Sequence, residues 1–145
     1  MGLDDFDLSG RVYFDACAII YIVEKHPKFA DPLQLILDKI DSSGGRLCTS
    51  ALSWLEVTVK PIRDGNKRLE ADFQQFLAAA EINPVTKPVL LQAARFRANA
   101  RSMKTPDAIH LAIAAGFGCD LFVTSDKRLA SRILIPALLL SEVKP

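Results

Sequence analysis

Two hydrophobic periods take turns along this chain. Short, nearly continuous apolar runs occur at Val12-Tyr13-Phe14, Arg46 to Thr49 and Leu121 to Thr124. Runs of that length without polar alternation predict strands buried on both faces. Glu81 to Val85 and Ala137 to Leu140 are two further strand candidates. Between them the spacing changes to that of helices. It predicts helices over Ala16 to Lys25, Asp31 to Asp41, Leu52 to Val59, Asn66 to Ala80, Lys87 to Ala100 and Thr105 to Ala115, with a short one after Ser125. Leu33, Ile36, Leu37 and Ile40 share one helical face, as do Leu69, Phe73, Phe76 and Leu77. The boundaries carry their own signals. Ser42-Ser43-Gly44-Gly45 is a turn, and Pro61 closes the helix before it. Thr105 is placed as N-cap, Pro106 at the first helical position and Gly116 as the stop.

Strands separated by helices indicate an α/β fold, with a parallel central sheet covered on both faces in a three-layer α/β/α arrangement. In such sheets, sites form beyond the carboxyl ends of the strands, near the point where the strand order reverses. The 145 residues contain no repeat and no long linker, so residues 1–145 are read as one domain.

Composition narrows the function classes. Half of the residues are apolar and the formal net charge is +1, so attraction to a polyanion must be local. Cys17, Cys48 and Cys119 are scattered, with no CxxC pair, which argues against a zinc site and for reduced thiols. The opening residues carry acids where a signal peptide carries basic residues. The Ala16 to Val23 apolar run is too short to span a bilayer. These features predict a cytoplasmic protein with no membrane partner.

Four acids stand where apolar or neutral residues would serve. Asp15 follows the first strand directly, and Asp126 follows the Leu121 to Thr124 strand. Asp107 opens the Thr105 helix, and Glu56 lies among apolar residues in Ser53-Trp54-Leu55-Glu56-Val57. Each has a competing role as a helix cap, dipole partner or surface charge. Taken together, three of them have a local reason to lie at the end of the sheet where helices begin. If the four converge, they cannot all be ionised at close range without a cation. A hard divalent ion resolves the conflict and turns a bound water into a nucleophile.

The order and spacing of four segments carry a resemblance: Tyr13-Phe14-Asp15-Ala16-Cys17-Ala18-Ile19-Ile20-Tyr21, Ser50-Ala51-Leu52-Ser53-Trp54-Leu55-Glu56-Val57, Thr105-Pro106-Asp107-Ala108-Ile109-His110-Leu111-Ala112, and Phe122-Val123-Thr124-Ser125-Asp126-Lys127-Arg128-Leu129. Spread over nearly the whole chain, they make it resemble the PIN-domain family, most closely the toxins of toxin–antitoxin pairs. The resemblance implies a ribonuclease with an acidic pocket for Mg²⁺ or Mn²⁺. It also implies a cognate antitoxin and a homodimer. Asp15, Glu56, Asp107 and Asp126 match its acidic positions, and Thr124 matches a hydroxyl before the last acid. On that reading Asp15, Asp107 and Asp126 hold the metal, and Glu56 holds a second ion or orients the attacking water. Many members carry Thr-Asn or Ala-Ser after the first acid, where this chain has Ala16-Cys17. A thiol supports a phosphate or hard metal poorly.

Arg97, Arg101 and Lys104 form a stripe at helical spacing, and Lys127 and Arg128 follow Asp126. These cations are candidates to grip phosphates next to the scissile bond of an RNA substrate; a solvated helix face is the competing reading. His110 lies one helical turn after Asp107, where a hydrogen-bonded structural role is favoured over acid catalysis. Phe96 reads as a core aromatic in preference to a base-stacking one. Trp54, Leu55 and Leu138-Leu139-Leu140 read as core by default, with a dimer or antitoxin face as the sharper idea. Two other functions compete. One is a non-catalytic module that holds RNA or protein. The other is a phosphotransfer site with Asp15 as nucleophile, disfavoured because Cys17 stands where a second acid is expected.

Overall fold

In a computed structural model, which describes residues 3–133 and 135–143, the three strong strand candidates and the two weaker ones all join one sheet. The strands are β1 (Arg11–Phe14), β2 (Arg46–Ser50), β3 (Glu81–Asn83), β4 (Leu121–Thr124) and β5 (Ala137–Leu139). Every pairing is parallel and the order is β3-β2-β1-β4-β5. The chain builds outward from β1 in one direction, returns, and builds outward in the other. The reversal lies between β1 and β4, where Tyr13 pairs with Phe122.

Among the described residues the helices are α1 (Ala16–Val23), α2 (Ala30–Ser42), α3 (Ala51–Arg63), α4 (Lys67–Ala78), α5 (Lys87–Asn99), α6 (Thr105–Gly116) and α7 (Lys127–Ala130). They sort onto two faces because strand side chains alternate. Val12, Phe14, Leu121 and Val123 face one core with Ile19, Leu33, Ile36, Val57, Phe73 and Leu77 of α1 to α4. Tyr13, Cys48 and Phe122 face the other, with Val89 and Ala93 of α5, Ala108 to Ala114 of α6, and Leu129 of α7. This is the expected α/β/α layering, and it explains why the strands read as continuous apolar runs.

Several element ends differ from expectation by one or more residues, and four of them have a local cause. Helix α1 stops at Val23, two residues before Lys25. Lys25 takes a left-handed φ of 56°, and the His26 N–H closes the turn on the Tyr21 carbonyl at 2.8 Å. Helix α3 runs through buried Pro61 to Arg63. So near the C-terminus the ring forfeits only the one bond that position 61 would have made to Val57. The N-cap of α6 is Lys104 and not Thr105, which puts Pro106 at the second helical position. Gly116 is the last residue of that helix, and the left-handed glycine is Gly118 (φ 70°). The Cys119 N–H then returns to the Ala114 carbonyl at 2.9 Å.

The turn before β2 is tight. A Cβ on Gly45 would lie 2.1 Å from the Leu8 carbonyl oxygen, and the neighbouring Arg46 N–H donates to Gly10 O at 2.9 Å. Leu138 and Leu140 are buried in the core, so that apolar run is packing. Trp54 and Leu55 remain 39% and 61% exposed. Leu55, Val59 and Ile62, at i, i+4 and i+7, form an exposed apolar face on α3. No described helix is long and apolar enough to cross a membrane.

Candidate active site

The carboxyl ends of the strands are fastened to one another by side chains. The Thr49 hydroxyl at the end of β2 donates to the Phe14 carbonyl of β1 at 2.7 Å. Asn83 of β3 donates its amide to the Thr49 carbonyl at 3.1 Å. On the other side, the Thr124 hydroxyl of β4 accepts the Asp126 N–H at 3.0 Å and donates to Asp15 Oδ2 at 3.4 Å. One hydroxyl thus connects the acid that follows β1 to the acid that follows β4, across the reversal in strand order.

Asp15 is the N-cap of α1: its Oδ1 accepts the Ala18 N–H at 2.9 Å. Asp126 is the N-cap of α7, accepting from the N–H groups of Arg128 and Leu129 at 2.9 and 3.2 Å. The cap roles are therefore real, and they orient the carboxylates. They do not account for the burial of Asp15, which is 6% exposed. Burial pushes its carboxyl above the usual range, and the Asp107 charge adds to this. His110, the Ala18 N–H and the Thr124 hydroxyl act in the opposite direction. Asp107, in the first turn of α6, is also raised, by burial first and then by the charges of Asp126 and Glu56. His110 and Lys104 offset part of that.

Cys17 reports on all four acids at once. Partial loss of solvent beside the surrounding protein, then the charges of Asp15, Glu56, Asp107 and Asp126, push its thiol up to about 11. Asp15 and Asp126, which cap α1 and α7, Glu56 of α3 and Asp107 of α6 thus all lie within electrostatic reach of one side chain. Cys17 itself is exposed and keeps its proton there, a weak donor in place of an amide or hydroxyl.

Glu56 is held from below. His110 Nε2 lies 2.7 Å from Glu56 Oε1, and His110 Nδ1 lies 2.7 Å from the Tyr13 hydroxyl. His110 is 3% exposed and Tyr13 is fully buried, stacked on Phe122. The structural role favoured for His110 is the observed one, and its partner Tyr13 was not singled out by the sequence. Tyr13 is 97 positions away, and its only signal was a polar tip inside an otherwise apolar strand.

A cavity of about 100 Å³ opens beside the acids, lined by Asp107, Asp126, Lys104, Arg128 and Arg132 among others. Among the described residues none of these three cations makes a contact ion pair. Arg132, not picked out in the sequence, is held by a 2.6 Å bond from Nη2 to the Ser102 hydroxyl. The expected Arg97, Arg101 and Lys104 stripe is broken, because α5 ends at Asn99. Arg97 instead donates to the Met103 carbonyl at 3.1 Å, and neither it, Arg101 nor Lys127 lines the cavity. Phe96 packs against the second core and lines a separate apolar cavity of about 330 Å³ between α5 and α6.

The donor set is chemically suited to a hard divalent cation: carboxylate oxygens that raise one another's affinity for protons. Among the described residues no group of three His, Cys, Asp or Glu side chains is arranged to hold an ion directly. The fit is therefore to an ion held by one or two carboxylates with water filling the remaining positions, the usual habit of Mg²⁺.

The sequence model for the PIN domain matches residues 12–143. No curated protein sequence matches the chain. Among solved structures, VapBC2 from Rickettsia felis bound to a DNA fragment from its promoter superposes with a TM-score of 0.75 at 15% identity, covering 93% of this chain and 99% of the other. DNA-bound VapBC from Salmonella typhimurium also gives a TM-score of 0.75, at 18% identity, covering 90% and 98%. FitAcB from Neisseria gonorrhoeae gives 0.70 at 15% identity, covering 90% and 99%. These likenesses establish the shared fold. The family match extends over nearly the whole chain and includes every one of the four acids, and the chain belongs to the PIN-domain family.

Proposed function

We propose that this protein is a divalent-metal-dependent ribonuclease, the toxin of a toxin–antitoxin pair, that hydrolyses RNA phosphodiester bonds at the Asp15, Glu56, Asp107 and Asp126 centre. The observation that carries the reading is the gathering of four carboxylates from distant parts of the chain around Cys17. Such a cluster costs stability, and the capping roles of Asp15 and Asp126 do not require Asp107 or Glu56 beside them. Asp15, Asp107 and Asp126 would hold Mg²⁺ or Mn²⁺, one or two of them directly and the rest through water, and Glu56 faces the same centre. When bound, the ion supplies a water of lowered pKa and charge stabilisation at the phosphate.

The chain's own residues have separate tasks. Asp15 and Asp126 are kept in register by the Thr124 hydroxyl between them. Glu56 accepts a proton from the attacking water. The water oxygen then forms a new bond to phosphorus, one ester P–O bond breaks, and the leaving alkoxide takes up a proton. Lys104, Arg128 and Arg132 hold neighbouring phosphates of the strand, which supplies the local attraction that a net charge of +1 lacks. RNA, an antitoxin and a second copy of the chain are the partners that this reading implies. The exposed Leu55, Val59 and Ile62 face supplies apolar surface for a protein contact.

The test is to follow thermal unfolding of wild type and Asp126→Asn during Mg²⁺ and Mn²⁺ titration, then add labelled RNA to the same samples. An ion at 100 times its Kd should stabilise wild type by about 2.7 kcal/mol. The expected result is metal-dependent cleavage by wild type and none by the variant. RNA binding without cleavage, at any metal concentration, would replace the enzyme with a binding module.

A further inference from the structure

We propose that Tyr13 and His110 are positioning residues that fix one imidazole tautomer and thereby aim the Glu56 carboxylate into the acidic centre. This rests on the reading of that centre given above.

The direction of the chain follows from hydrogen-bond inventory. An ionised carboxylate only accepts, and a neutral imidazole carries one N–H. At 2.7 Å from Glu56 Oε1, Nε2 must be the protonated nitrogen. In the neutral ring that this proposal assigns to His110, Nδ1 is then an acceptor, and the Tyr13 hydroxyl at 2.7 Å donates to it. Burial raises the Tyr13 pKa far above its ordinary value, so the phenol keeps the proton that it donates. The order is Tyr13 O–H to His110 Nδ1, and His110 Nε2–H to Glu56.

A core-packing explanation does not require this order. Phe at position 13 would fill the same volume between Phe122 and the imidazole. Three polar groups in series are an expensive way to fill space. What the series accomplishes is at its end. Tyr13 and His110 are shut away from solvent, and Glu56, with 28% of its side chain exposed, is the point where the chain emerges. A Glu on a partly solvated helix face otherwise samples several rotamers. Here it is tied to α6, the helix that also carries Asp107 one turn before His110. Supporting partners of this kind typically change activity about 10–100-fold when removed.

The test is a double-mutant cycle read on kcat, with KM and Tm recorded on the same samples. Tyr13→Phe and His110→Leu should each lower kcat about 10–100-fold, with the smaller part of the change in KM. His110→Gln, which keeps an N–H near the Nε2 position, should recover part of the His110→Leu loss. In a Glu56→Gln background neither substitution should lower kcat further, because residues that act as a unit are non-additive. Equal losses in both backgrounds would overturn the proposal, since a merely structural role is indifferent to Glu56. A readout independent of cleavage is the ¹⁵N spectrum of His110. It should report the Nε2–H tautomer in wild type and a mixture in Tyr13→Phe; an Nδ1–H tautomer in wild type overturns the proposal outright. If wild type cleaves nothing, the ribonuclease reading fails, and the tautomer alone then decides whether Tyr13 and His110 set the orientation of Glu56.

Discussion

Replacing Asp15 by Asn should make the metal-free protein more stable while abolishing its response to divalent ions. Asp15 is 6% exposed, and burial followed by the Asp107 charge raises its pKa above the ordinary aspartate range. A carboxyl whose folded pKa is raised contributes stability in full below the unfolded pKa. That contribution is lost as pH rises through the folded value. Wherever Asp15 is ionised, it is therefore a net cost to the fold. Asn keeps the Oδ1 that accepts the Ala18 N–H at 2.9 Å and removes the charge. Relief of functional-site strain of this kind is worth up to about 2 kcal/mol. Against it stands the 3.4 Å bond from the Thr124 hydroxyl, whose loss costs about 1 kcal/mol. The net gain is about 1 kcal/mol, or a Tm rise of about 4 °C for a domain of this size. Calorimetry in chelator at neutral pH reads it directly. The difference should shrink as pH falls, because wild type regains its stability once Asp15 is protonated. An Asp15→Asn protein that is less stable than wild type at neutral pH, in chelator, would refute the reasoning and leave Asp15 as a helix cap only.

Arg132→Ala should weaken RNA binding in chelator across different sequences alike and reduce the slope of log affinity against log salt by about 1; fluorescence anisotropy over a salt series measures both, and an unchanged slope would exclude a phosphate contact. Gly45→Ala forces a Cβ to 2.1 Å from the Leu8 carbonyl oxygen, a backbone atom that cannot swing aside. It should cost about 2 kcal/mol or more, seen as a fall in the urea midpoint with little change in slope.

The sheet was legible because its strands are buried on both faces, and Val12-Tyr13-Phe14 and Leu121 to Thr124 can hardly be anything else in a chain of this length. Its order was less so: β3 is three residues long, and nothing in Glu81-Ile82-Asn83 says that it pairs with β2. Helix ends were the weakest point. Thr105 has the chemistry of an N-cap, yet Lys104 takes that position without a side-chain bond, because the tertiary path of the chain into α6 overrides the local preference. Pro61 misled for the same reason, since packing holds a last turn that propensity alone would end. At the site, each acid was visible as a charge in an apolar context, but their meeting is a property of the topology. Tyr13 and Arg132 could not be found by pattern. One is a phenol in a strand, the other an arginine six residues past Asp126, and only the fold gives each of them a partner.

The position of β1 at the centre of the sheet has a consequence for how the protein is made. The strand synthesised first needs β4, over a hundred residues later, as one of its two neighbours. During translation Asp15 waits beside an open edge while the ribosome adds the elements between β1 and β4, and Thr124 and Asp126 arrive only with β4 and the turn after it. A nascent or truncated chain that stops short of Leu121 therefore has neither a closed sheet nor an assembled acidic centre. Whatever chemistry this centre performs is withheld until β4 has been made and has paired with β1.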